Sequence, residues 1–200
     1  VSKANEFYPG DVTIQVAYTL TSENELNIKY KATTTEDTLL NLTNHAYFNL
    51  DGISGNTLDQ KLQINAEKFL ELDAENIPTG NFIPMENHAF DFRSSKNVVA
   101  GIDHCFVLKN NTEPAAILES VKNGVTMKVY TDHPAVQIYV GGKTSDELQN
   151  KESVEYHTES GICFETQVFP DAPNHEDFPN AILRKGETYQ QNTTFQFIIS

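Results

Sequence analysis

Glu165 is the residue whose type and context best suit proton exchange, and His45 lies in a segment whose polar face suits hydroxyl groups. Glu165 lies in Ile162-Cys163-Phe164-Glu165-Thr166-Gln167-Val168-Phe169, a carboxylate bracketed by apolar neighbours. Partial desolvation raises the pKa of such a group toward the range of a general base, because burial disfavours its charged form. A buried ion pair or a rim position accounts for the same pattern. His45 lies in Leu40–Leu50, where Asn41, Thr43, His45, Tyr47 and Asn49 alternate with Leu40, Leu42, Ala46, Phe48 and Leu50. In an extended chain successive side chains point to opposite faces. One face is then aromatic and amide-rich, poor for a core. It suits a sugar, since Tyr47 can lie on an apolar C–H face while amides and imidazole bond hydroxyls. A solvated face that happens to hold amides is the bland alternative.

Two further segments share this grammar. Ala135–Val140 sets Gln137 and Tyr139 against Val136, Ile138 and Val140, and Gly101-Ile102-Asp103-His104 leads into the apolar run from Cys105 to Leu108. Asp103 could equally cap a turn at a strand entrance. Cys105 and Cys163 stand two residues from Asp103 and Glu165. They are read as small reduced fillers behind the cleft, with a thiol-sensitive activity as the alternative. They are too few for a disulfide framework and lack metal-ligand spacing. His88, His133, His157 and His175 form no H-x-H or H-x-x-x-H pair and are expected as surface or loop residues, so no metal site is predicted. A phosphate-binding glycine loop and a G-x-S-x-G nucleophile elbow are also absent.

The elements that must position these groups are strands. Val12–Leu20 alternates as a half-buried strand, Leu26–Ala32 repeats the pattern after a polar turn at Ser22–Asn24, and Tyr189–Ile199 closes the chain in the same way. Asn123-Gly124 predicts a hairpin with a tight primed turn, and Gly141-Gly142 marks another turn. Ala66–Asn76 is a candidate short helix. The prediction is an all-β chain, a sandwich or broad twisted sheet, forming a single domain over residues 1–200.

A formal net charge of −14 disfavours nucleic acid and anionic membrane partners. No stretch approaches the ~20 apolar residues of a membrane span, and the first residues carry no basic-then-apolar signal. A cytoplasmic protein is expected, with the sequons at Asn41, Asn110 and Asn192 arising by chance.

Five segments, in order, carry a resemblance to aldose 1-epimerases, the galactose mutarotase family. Asn44-His45-Ala46-Tyr47-Phe48-Asn49-Leu50 resembles N-H-x-Y-F-N-L, and Ile77-Pro78-Thr79-Gly80 with Phe90-Asp91-Phe92-Arg93 resembles P-x-G … F-D-F-R. Gly101–Phe106 is similar to G-x-D-H-x-F, and Thr131–Tyr139 to T-x-x-P-x-x-Q-x-Y. Phe164-Glu165-Thr166-Gln167 with Pro170–Asn174 resembles F-E-x-Q … P-D-x-x-N. The resemblance implies a large antiparallel β-sandwich of the galactose mutarotase-like supersandwich type. It further implies interconversion of the α and β anomers of an aldohexose, with His45 as acid, Glu165 as base, and Tyr47, Asp103 and Gln137 on the sugar. No metal or organic cofactor is implied.

The resemblance departs at the front. The family's N-R pair and L-H-G motif, which supply an arginine and a second histidine, have no match, and Tyr8-Pro9-Gly10-Asp11 resembles a mid-chain family segment. The sandwich is therefore expected to be incomplete at the N-terminus, with open strand edges and uncovered apolar surface. A complementing N-terminal segment or a homo-oligomer would cover it. Competing functions are a non-catalytic carbohydrate-binding module, a glycoside hydrolase using Glu165 and Asp103, and a phosphosugar epimerase. The first binds sugar without changing its optical rotation, and hydrolysis frees new reducing ends.

Overall fold

The computed structural model describes residues 8–52, 55–109, 112–141 and 158–199. The sequon at Asn110, the turn residue Gly142 and His157 lie outside the described residues.

Alternating segments form antiparallel strands throughout. One sheet has the order β1 (Val12–Leu20), β2 (Glu25–Thr34), β15 (Tyr189–Ile199), β11 (Val125–Thr131), β10 (Ala116–Glu119), β5 (Lys61–Ile64) and β8 (Lys96–Asn97). The second has the order β4 (Tyr47–Phe48), β13 (Ile162–Gln167), β12 (Ala135–Val140), β9 (Asp103–Leu108), β6 (Ala66–Leu72) and β7 (Pro78–Pro84). A short ribbon pairs β3 (Thr38–Leu39) with β14 (Ile182–Leu183). The main core joins the two large sheets: Ile28, Met127, Val129 and Phe195 from the first meet Phe69, Phe106, Val136, Ile138 and Phe164 from the second. Each such side chain contributes about 1.5–3 kcal/mol by leaving water. Along β12, Val136, Ile138 and Val140 enter this core, so Gln137 and Tyr139 must face outward. The predicted all-β sandwich is the fold observed.

Three local expectations are corrected. Ala66–Asn76 is not helical: β6 is followed by a turn in which Asn76 has φ +63°. The misleading signal is physical. Irregular register between Ala66 and Lys68, and again between Leu70 and Leu72, buries Ala66, Phe69 and Leu70, which is helical spacing produced by bulges. The β10–β11 hairpin exists, but its loop runs from Ser120 to Gly124. Gly124 has φ +74°, and its N–H donates to the Ser120 carbonyl. Asn123 instead uses its side chain, accepting from the Val125 N–H and donating to the Leu50 carbonyl.

The third correction is β1, where only Val12 is buried. Ile14, Val16, Tyr18 and Leu20 are 36, 44, 59 and 77% exposed. They stand opposite Ala32, Tyr30, Ile28 and Leu26 of β2, so they continue the inward-facing side of the sheet past the end of the core. β1 is an edge strand whose apolar face has no covering layer among the described residues.

Candidate active site

The site is built on the outward side of the second sheet, by strand register. Antiparallel partners share a face. One cross-strand row runs Tyr47, Cys163, Tyr139, Asp103, and the next runs Glu165, Gln137, Cys105. The segment Leu40–Leu50 forms a strand only at Tyr47–Phe48. His45 nevertheless continues the Tyr47–Cys163 register and falls opposite Glu165. Asn41 and Asn49, expected on the sugar face, hold backbone instead. Asn41 brackets Val168, donating to its carbonyl and accepting from its N–H, and Asn49 donates to the carbonyls of Gly55 and Ser160.

His45 Nε2 lies 3.2 Å from Glu165 Oε1, with the His45 side chain 53% exposed and that of Glu165 12%. Burial pushes the Glu165 carboxyl above its ordinary value, the facing imidazole opposes this, and the Asp103 charge adds to it. Behind Glu165 a buried polar clasp fixes β13 to the opposite sheet. The Gln191 amide donates to the Thr166 carbonyl at 2.8 Å, and the Thr166 and Thr193 hydroxyls are 2.6 Å apart. A carboxylate on so tethered a strand has little freedom of position.

The rest of the cleft surrounds this pair. Gln137 Nε2 donates to Asp103 Oδ1 at 2.6 Å, joining the two polar groups into one unit. Tyr47 lies 5.2 Å from the His45 ring, and Tyr139 stands edge-on to both at 6.1 Å. His45, Tyr47, Asp103, Gln137 and Glu165 all line one cavity of about 440 Å³. Leu72, Asn76 and Pro78 form its rim, where Asp73 accepts from the N–H groups of Glu75 and Ile77 to fix the turn. All five expected residues are brought together. Tyr139, Gln167 and the rim residues were not among them, although alternation already set Tyr139 beside Gln137. A larger cavity, about 650 Å³, is lined by Tyr8, Ile14, Leu40 and Phe169 but lacks an acid–base pair.

Cys163 and Cys105 are free and buried. Cys163 Sγ lies 3.5 Å from His45 Nδ1, and the donor atoms of His45, Cys163 and Glu165 fall within 4.8 Å of one another, close enough to hold a cation. Sequence spacing could not reveal this group, because its members come from two segments joined only by strand pairing. The remaining described histidines occupy loops or strands but are not simple surface residues. His88 and His104 pack on Phe69 and Phe90, His133 on Tyr189 and His175 on Phe178. Burial lowers the pKa of His104 and His133.

Antiparallel sheets packed face to face, with a polar cleft on the outer side of one, define a β-sandwich with a site on its open face. The aldose epimerase homologue from C. elegans superposes with a TM-score of 0.90 at 30% identity, covering 99% of this chain and 63% of that one. The family model for aldose 1-epimerase matches residues 1–196, and the chain belongs to that family. Galactose mutarotase of Mus musculus is 39% identical over 206 residues, and aldose 1-epimerase of Escherichia coli (strain K12) 35% over 208. The chain spans 60% of the length of each of these two relatives. Among the described residues no helix is long and apolar enough to cross a membrane.

Proposed function

We propose that this chain carries the acid–base centre of an aldose 1-epimerase acting on an aldohexose such as galactose or glucose. The observation that carries the reading is the His45–Glu165 contact of 3.2 Å, set in an open polar cleft. Ring opening needs a proton removed from the C1 hydroxyl and another delivered to the ring oxygen. Both oxygens are bonded to C1, so an acid and a base side by side can serve them together. Ionised Glu165 takes the hydroxyl proton while protonated His45 donates to the ring oxygen, and the C1–O bond of the ring breaks. Rotation about C1–C2 presents the other aldehyde face, and the protons return as the ring closes. Concerted transfer avoids a free alkoxide or oxocarbenium and contributes ~10²–10⁴-fold.

Asp103 and Gln137 bond sugar hydroxyls, and Tyr47 packs against the ring. No nucleic acid, membrane or cofactor enters this chemistry. The reading places the protein in the cytoplasm, where free Cys105 and Cys163 stay reduced. The exposed face of β1 is the place for a complementing segment or a second copy of the chain. The test is polarimetry on freshly dissolved α-galactose and α-glucose. The expected result is faster approach to equilibrium rotation with the protein than without it. Sugar binding with no acceleration would overturn catalysis and favour a carbohydrate-binding module.

A further inference from the structure

Behind the cleft lies a donor atom that the proposed reaction leaves idle, the buried sulfur of Cys163. It lies 3.5 Å from His45 Nδ1, and Glu165 Oε1 lies 3.2 Å from His45 Nε2. Zinc binds imidazole nitrogen and carboxylate oxygen at about 2.0–2.2 Å and thiolate sulfur at about 2.3 Å. In a tetrahedron those lengths put nitrogen and oxygen about 3.4 Å apart and nitrogen and sulfur about 3.6 Å apart. The two contacts observed show how near the three groups stand, with one ligand atom from each within 4.8 Å of the others. The contacts fall on the two nitrogens of one ring, so a single ion requires the ring to turn until one nitrogen serves. The His45 side chain is half exposed and can turn into the cleft without entering packed core.

We propose that His45, Cys163 and Glu165 form a reversible site for a thiophilic divalent cation of the Zn²⁺ class, occupied in competition with the sugar. One sulfur, one imidazole and one carboxylate select zinc-like ions over magnesium and calcium, which prefer all-oxygen shells. Three protein ligands leave the fourth position open toward the cleft, the arrangement of an exchangeable site. The net charge of −14 and the nearby Asp103 favour arrival of a cation. The occupied site blocks the reaction because the ion takes both the acid and the base. That competition rests on the anomerase reading, whereas binding of the ion does not.

The test titrates Zn²⁺ calorimetrically into the full chain without sugar and repeats the titration with Co²⁺ by absorption. The expected results are one Zn²⁺ per chain and a thiolate-to-cobalt charge-transfer band in the near ultraviolet. Cys163→Ser removes the band and weakens Zn²⁺ binding at least about 100-fold, the upper end of the cost of losing even an outer-shell partner. Cys105→Ser keeps both signals. A Co²⁺ spectrum of the unsubstituted chain without a thiolate band overturns the site, and this measurement does not depend on any variant folding. Zn²⁺ affinity unchanged in Cys163→Ser overturns it as well. Polarimetry before Zn²⁺ is added separates the two readings, and loss of that activity on adding Zn²⁺ tests the competition. Metal signals without anomerisation uphold the ion site and defeat the catalytic reading, and anomerisation without metal signals does the reverse.

Discussion

His45 Nε2 meets Glu165 Oε1 at 3.2 Å across a strand pair only two residues long. The pairing of Tyr47 with Cys163 sets the register, and that register carries His45 opposite Glu165. The two side chains therefore depend on backbone pairing for their distance, and Glu165 depends on desolvation for its raised proton affinity.

Removing either partner should stop the chemistry differently. Glu165→Gln lowers kcat on the order of 10²–10⁴-fold while leaving sugar affinity close to that of the unsubstituted protein. His45→Gln also lowers kcat, and its residual activity shifts in pH. The base works only when ionised, so activity is lost as pH falls through its pKa. His45 lowers that pKa against the larger effect of burial. Without it the acidic limb of the kcat/KM profile moves to higher pH. A limb that stays in place or moves lower removes Glu165 from the role of base.

Glu165 should also cost stability at neutral pH. Its folded-state pKa lies above the ordinary 4.5, chiefly through desolvation. Such a group binds protons more readily in the folded chain than in the unfolded one. Its stabilising influence is present below pH 4.5 and is lost as pH rises through the folded value. Glu165→Gln, which cannot ionise, should therefore melt at higher temperature than the unsubstituted chain at pH 7. The difference should shrink toward pH 4. Thermal melts at the two pH values decide it, and a lower Tm for the variant at pH 7 contradicts the argument.

Much of this site is legible in the sequence because its strands alternate cleanly. Val136, Ile138 and Val140 announce the inward face of β12, and Gln137 and Tyr139 are left outside by geometry alone. Legibility failed where alternation fails. The bulged β6 buries Ala66, Phe69 and Leu70 with helical spacing, which no period-2 reading can recover. It failed again where contacts join distant segments. Asn41 looks like a sugar ligand until Val168 is seen to occupy its amide, and Cys163 looks like a filler until its sulfur is found against His45.

Gly161 tests the placement of Tyr47. A Cβ added there would fall 2.9 Å from Tyr47 Cβ and 3.0 Å from its Cδ1. Tyr47 is half exposed and can yield only by tilting away from β13. Gly161→Ala should therefore weaken the packing of ring on sugar. Aromatic stacking worth about 0.5–1.5 kcal/mol corresponds to a KM raised roughly 2- to 12-fold. The effect on kcat should be smaller, because Tyr47 moves no proton. Steady-state kinetics separate the two parameters. A collapse of kcat at constant KM would show that Gly161 instead holds the His45 segment in place.

The uncovered face of β1 should make this chain self-associate. Ile14, Val16, Tyr18 and Leu20 form a contiguous apolar row on an edge strand, and their β2 partners lie on the inward side of the sheet. Among the described residues nothing covers that row or pairs with the outer edge of β1, a combination that favours pairing with another chain. Light scattering across a concentration series should show mass rising above 22.4 kDa. The double substitution Tyr18→Thr with Leu20→Lys should return the mass toward that of one chain. It should leave Tm nearly unchanged, since the two side chains are already largely in water. A monomeric unsubstituted chain with a cooperative melt would mean that β1 needs no cover.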